Sequence, residues 1–169
     1  FAQLSRTHYI PPISAANDSN ATPQNQYLHI STPSVTPVSV TVTEIGGTVS
    51  VLSVSNANPL EILIGSGTNT PFVADVSTTG TKYSNKGYSI QAEQPVYASV
   101  RLVAGTNQSQ AGSLVSKGLS GLGTTFRVGT FTNQKTFTST NLDYLNFVSV
   151  MATQNNTQVD FLDLPSGII

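Results

Sequence analysis

Lys117 sits in "AGSLVSKGLSGLGTTFRVG", residues 111–129, where five glycines surround one lysine, a composition from which phosphate cradles are built. A P-loop needs Gly directly before the Lys and Ser or Thr directly after it, whereas here Ser116 precedes and Gly118 follows. The dinucleotide fingerprint fails as well. Gly118, Gly121 and Gly123 run G-x-x-G-x-G and lead into "TTFRVG", which reads as a strand and not as the helix whose N-terminal amides would face an anion. The stretch is therefore expected to be a glycine-rich connection between strands, with little affinity for nucleotides.

Hydrolytic chemistry finds equally little to work with. The two histidines, His8 and His29, both lie near the N-terminus, and no G-x-S-x-G elbow offers a nucleophile. His8 falls in "THYIPP", an ordered extended segment, and His29 alternates with Leu28 and Ile30 as in a strand, so both read as structural. Glycoside hydrolysis would need two of the eight carboxylates facing each other across a cleft, which the spacing does not specify. For calcium, "NDSN" at 17–20 supplies oxygen ligands but one carboxylate, too few for a tight site, and the EF-hand spacing is absent. No cofactor is expected. Arg101 and Arg127 each stand inside a strand pattern, where structural pairing with a carboxylate is the expected role. If the surface holds a ligand by charge, Arg101, Lys117 and Arg127 are its candidate contacts.

Composition narrows the partners. Charged residues make up 9% of the 169 residues and the net charge is -1, so no basic stripe exists to neutralise a nucleic-acid backbone. Solubility rests instead on hydroxyls and amides, with Ser and Thr alone about a quarter of the chain. Cysteine is absent, which removes disulfides, thiolate metal sites and a cysteine nucleophile together. The apolar runs, such as "LEILIG", are far shorter than the roughly 18 residues of a membrane-spanning helix.

The elements that must position these groups are strands. In "PVSVTVTEI" Val38, Val40 and Val42 face one way and Ser39, Thr41 and Thr43 the other. The same period-two pattern marks "TVSVLSVS" (48–55), "GYSIQAE" (87–93), "PVYASVRLVA" (95–104), "TTFRVG" (124–129), "YLNFVSVMAT" (144–153) and "TQVDFLDL" (157–164). Turn clusters such as "NANP", "GSGTNTP" and "TTGTKYSNKG" separate them, and no segment carries an amphipathic helical period. The pattern predicts an all-β chain, a single antiparallel β-sandwich of two packed sheets spanning 4–169. Residues 1–3, "FAQ", read as the end of a secretory signal or a flexible terminus, and the apolar ending "DLPSGII" as a longer polypeptide cut short.

Three blocks in order, "LSRTHYIPPI", "AGSLVSKGLSGLGTTFRVG" and "NFVSVMATQNNTQVDF", resemble the N-terminal region of very large Bacteroidota cell-surface adhesins of the gliding-motility type. That region is itself similar to the N-terminal domain of the IgG Fc-binding protein. The resemblance implies a β-sandwich at the start of a long surface filament exported by type IX secretion, through machinery engaged by parts of the chain not present in this sequence. It implies no catalytic residue, and antibody binding does not carry over. The expected function is that of a non-enzymatic module contacting an extracellular surface or glycan. The alternative is a glycan-binding or glycan-processing domain of a polysaccharide-utilisation system, although the chain lacks Trp, the residue sugar platforms use most.

Overall fold

The computed structural model describes residues 3–15, 22–78, 80–105, 107–108, 110–129 and 147–163. The chain is all-β, as the alternation predicts, and the described residues contain only two 3-10 turns besides strands. The strands are β1 (Ser5–Ile10), β2 (Ile13–Ala15), β3 (Pro23–Ser31), β4 (Val38–Glu44), β5 (Val49–Val54), β6 (Leu60–Gly65), β7 (Val73–Asp75), β8 (Tyr88–Ala104) and β9 (Gln110–Val115). No helix of the described residues is long and apolar enough to cross a membrane.

Seven strands form one antiparallel sheet, nearly closed into a barrel-like shape and organised around β8. The first half of β8 pairs with β1 on one edge and β4 on the other, and β4 carries β5. From Tyr97 onward β8 pairs instead with β3 and β9, and β3 carries β6. The change of partners falls at Glu93, Gln94 and Pro95, all exposed, where proline has no N–H to give to a ladder. There the Thr32 hydroxyl donates to the Pro95 carbonyl at 3.1 Å. The two strands read from "GYSIQAE" and "PVYASVRLVA" are thus one 17-residue strand, and the two layers expected of a sandwich are continuous through it.

Parity is conserved across that break. Ile90, Val96, Ala98 and Val100 of β8, Leu28 and Ile30 of β3, and Val38, Val40 and Val42 of β4 are all buried in one core with Ile10, Val54 and Phe72. Each such aliphatic side chain contributes roughly 1.5–3 kcal/mol on burial, so the even-numbered face of these strands is what fixes the register. Gln26 shares that face, fully buried. Its Oε1 accepts the Thr70 hydroxyl at 2.5 Å and its Nε2 donates to the Gly67 carbonyl at 2.7 Å, which anchors the loop after β6 to β3.

Three expectations are corrected. The stretch 111–129 is not wholly a connection, since its first five residues belong to β9, paired with β8 from Ser99 to Ala104. β2 and β7 pair in parallel, as a separate two-stranded ribbon. The segments 124–129, 157–163 and the described part of 144–153 carry strand sequences but hold no strand. Alternation reports two unlike faces, whereas a ladder also requires a free edge in reach. Residues 147–151 retain the alternation without the ladder: Phe147 and Ser149 line a cavity, Met151 places its sulfur beside Gly87, and Val148 and Val150 stay about half exposed.

Candidate ligand-binding face

The odd-numbered residues of β6, β3, β8 and β9 point away from the core, and the register sets them in rows. Leu63, Tyr27, Arg101 and Ser113 stand opposite one another across the four strands. Glu61, His29, Ser99 and Val115 form the next row, and Ser31 and Tyr97 continue it on the central pair. With strands about 4.8 Å apart, each four-residue row spans roughly 14 Å. The Tyr27 hydroxyl accepts from Asn25 Nδ2 at 3.1 Å, and its ring centroid lies 6.1 Å from that of His29 at a tilt of 36°. His29 Nδ1 is 3.7 Å from Glu61 Oε2, an ion pair only when the imidazole is protonated.

This face offers aromatic surface from Tyr27 and Tyr97, the guanidinium fork of Arg101, the acceptor oxygens of Glu61 and the hydroxyls of Ser31, Ser99 and Ser113. Such a mixture suits a ligand rich in hydroxyls, which needs both donors and acceptors and presents flat C–H surface to a ring. The sequence alone points to Arg101, reads His29 as structural, offers Glu61 as one of eight carboxylates and gives Tyr27 no role. The signal was present in "QNQYLHIS": with Leu28 and Ile30 inward, Tyr27 and His29 must face outward together.

The three cationic candidates do not share a strand face. Arg101 is exposed in the first row. Lys117 lies beyond the end of β9, where it opens the 3-10 turn Gly118–Gly121 and its carbonyl accepts the Ser120 hydroxyl at 2.8 Å. Arg127 is exposed in residues 122–129, which carry no strand. The 17–20 segment, weighed for calcium and too poor in carboxylates for a tight site, lies outside the described residues.

The glycine stretch serves the fold through His8. That side chain is fully buried, with Nε2 3.0 Å from the Val96 carbonyl and 3.1 Å from the Ser5 carbonyl. Nε2 must therefore carry the proton, leaving Nδ1 to accept the Ser116 hydroxyl at 2.9 Å. Ser116 Oγ in turn accepts the Gly118 N–H at 3.2 Å. Gly118 has φ 59°, and a Cβ there would come within 2.2 Å of the Ser5 Cβ, so glycine is required by the approach of β1. Burial holds the His8 pKa below 6.5, against the opposing pull of the Val96 and Ser5 carbonyls. Ser116 and His8 thus form a neutral latch between β1 and the end of β9, with both side chains buried.

A cavity of about 410 Å³ lies between β2 and β9, lined mainly by apolar groups including Ile13, Phe72, Leu102, Leu114 and Phe147. Gly112 borders it with open space where a side chain would be.

No family model matches this chain, and no curated protein matches it. Among solved structures it is similar to "Crystal Structure of Thermotoga maritima 1070", at 12% identity and a TM-score of 0.40, over 66% of this chain and 92% of that one. That likeness is too slight to assign a family, a fold or an activity.

Proposed function

We propose that this chain is a non-enzymatic binding module from a secreted bacterial cell-surface adhesin, and that it contacts a neutral, hydroxyl-rich surface such as a glycan through the outer face of β6, β3, β8 and β9. The observation that carries this reading is the pair of rows in which Tyr27, His29, Arg101 and Glu61 stand together on one exposed sheet surface. Two sequence properties support it: the three ordered blocks that resemble gliding-motility adhesins, and a chain with only 9% charged residues, which favours hydrogen bonding over ion pairing. The test is attachment. Beads coated with the chain are expected to adhere to glycan-coated or cellular surfaces, and beads carrying the Tyr27→Ala, Arg101→Ala double variant to adhere at least about tenfold less. Equal adhesion by both, or none by either, would reject the face as the contact, and turnover of a glycan by the chain would reject the non-enzymatic reading.

A further inference from the structure

Natural sheets guard their exposed edges with charges, prolines, bulges or a covering segment, because a bare row of N–H and C=O groups will pair with any strand that reaches it. Among the described residues, three of the four outer strands of the seven-stranded sheet are guarded. β1 contains Arg6, has a bulge between Ser5 and Thr7, and runs into Pro11 and Pro12. β6 contains Glu61 and shifts register where Gly65 faces Gln26. β9 has Phe147 and Ser149 beside Gly112 to Leu114 around the same cavity.

Among the described residues, β5 has none of these devices. "VSVLSV" holds no charge, proline or glycine, and its register with β4 runs unbroken from Val38 opposite Val54 to Thr43 opposite Val49. Among the described residues it pairs with β4 alone. Val49 and Val51 stand 62% and 68% exposed on its outer side, although valine is a strand former that gains most when packed against a cross-strand neighbour.

We propose that the β5 edge is a self-association surface, at which a second copy of this chain adds its own β5 antiparallel and joins the two sheets across a two-fold axis. A two-fold perpendicular to the sheet pairs only residues of equal parity, so a register centred on Val51 sets Val51 against its own copy and Val49 against Ser53 of the other copy. The strand suits this partner better than a foreign one. It is uncharged, so two copies bring no like charges together, and its outward residues Val49, Val51 and Ser53 are small enough to meet across a narrow pair. This surface is distinct from the face proposed for ligand, since β5 belongs to the other half of the sheet.

The chain has no cysteine, so a single Val51→Cys substitution reports the register directly. With mild copper-catalysed oxidation, that variant is expected to form a covalent dimer at micromolar concentration, because opposed residues bring Cβ atoms to about 4.5–5.5 Å. Val35→Cys, 78% exposed and off the edge, is the control and is expected to link at least about tenfold more slowly. In sedimentation velocity from about 1 to 100 µM the unaltered chain is expected to show a concentration-dependent dimer, with Val51→Lys weakening it at least about tenfold while the circular dichroism spectrum stays unchanged. A monomer at every concentration, or a dimer indifferent to Val51→Lys with equal cross-linking from Val35→Cys, would overturn the proposal.

Discussion

At the scale of the residue, Gly118 is tightly constrained by its surroundings. Its φ of 59° lies in the left-handed region, and any side chain would meet the Ser5 side chain at 2.2 Å and the Thr7 carbonyl at 3.3 Å. Gly118→Ala is therefore expected to lower stability by about 2 kcal/mol or more, read as a shift of the urea midpoint with an unchanged slope. His8, in the same latch, gives the chain a pH response of known sign. The native imidazole binds its proton below 6.5 because burial opposes the charge, whereas the unfolded histidine binds it near 6.5. The stabilisation is complete above pH 6.5 and is lost as pH falls from there toward the lower native value. The thermal midpoint should decline between pH 7 and 5, and the decline should flatten in His8→Asn. A midpoint independent of pH in that range, or a slope unaltered by the substitution, would show that the buried imidazole is not the group responsible.

At the scale of the element, β8 decides the architecture. It pairs with four strands, two in each half, and lends Ile90, Val96, Val100 and Leu102 to the core. Amide hydrogens of β8 on both sides of Pro95 are expected to exchange orders of magnitude more slowly than those of 124–129 and 157–163, which hold no ladder. Comparable rates in the two sets would mean that these segments are paired in solution. This contrast also marks how much was legible in the sequence. "PVSVTVTEI" and "QYLHI" declared both strand and inward face, because buried aliphatics alternating with polar residues leave one register that hides them. "TTFRVG" and "TQVDFLDL" alternate just as well, with Phe126, Val128, Val159 and Phe161 left exposed, and nothing local in their sequences distinguishes them. Nor did the sequence around Gln94 announce that β8 runs on past Pro95, since that depends on which partners stand opposite. The candidate site was legible in part for the same reason. The alternation aimed Tyr27 and His29 outward, but only the cross-strand register sets Arg101 beside Tyr27 and Glu61 beside His29.

At the scale of the molecule, a neutral chain with one nearly closed sheet presents two surfaces of different character. The face over β6, β3, β8 and β9 carries rings, hydroxyls and the guanidinium of Arg101, whereas the β5 edge carries valines and, among the described residues, an unpaired row of backbone groups. The first is suited to a ligand and the second to another copy, so a dimer through β5 would present two ligand faces at once and raise avidity without any new contact. Lys117 and Arg127 lie outside those rows, which makes Arg101 the cation on which ligand affinity should depend. The most direct measurement of the central claim is binding of the chain to an array of neutral glycans at low and at 0.5 M salt, repeated with Tyr27→Ala, Arg101→Ala and Lys117→Ala. Binding is expected to survive salt, to fall at least about tenfold on loss of Tyr27 or Arg101, and to be unchanged on loss of Lys117. Binding that collapses with salt, or that withstands both Tyr27→Ala and Arg101→Ala, would contradict the claim.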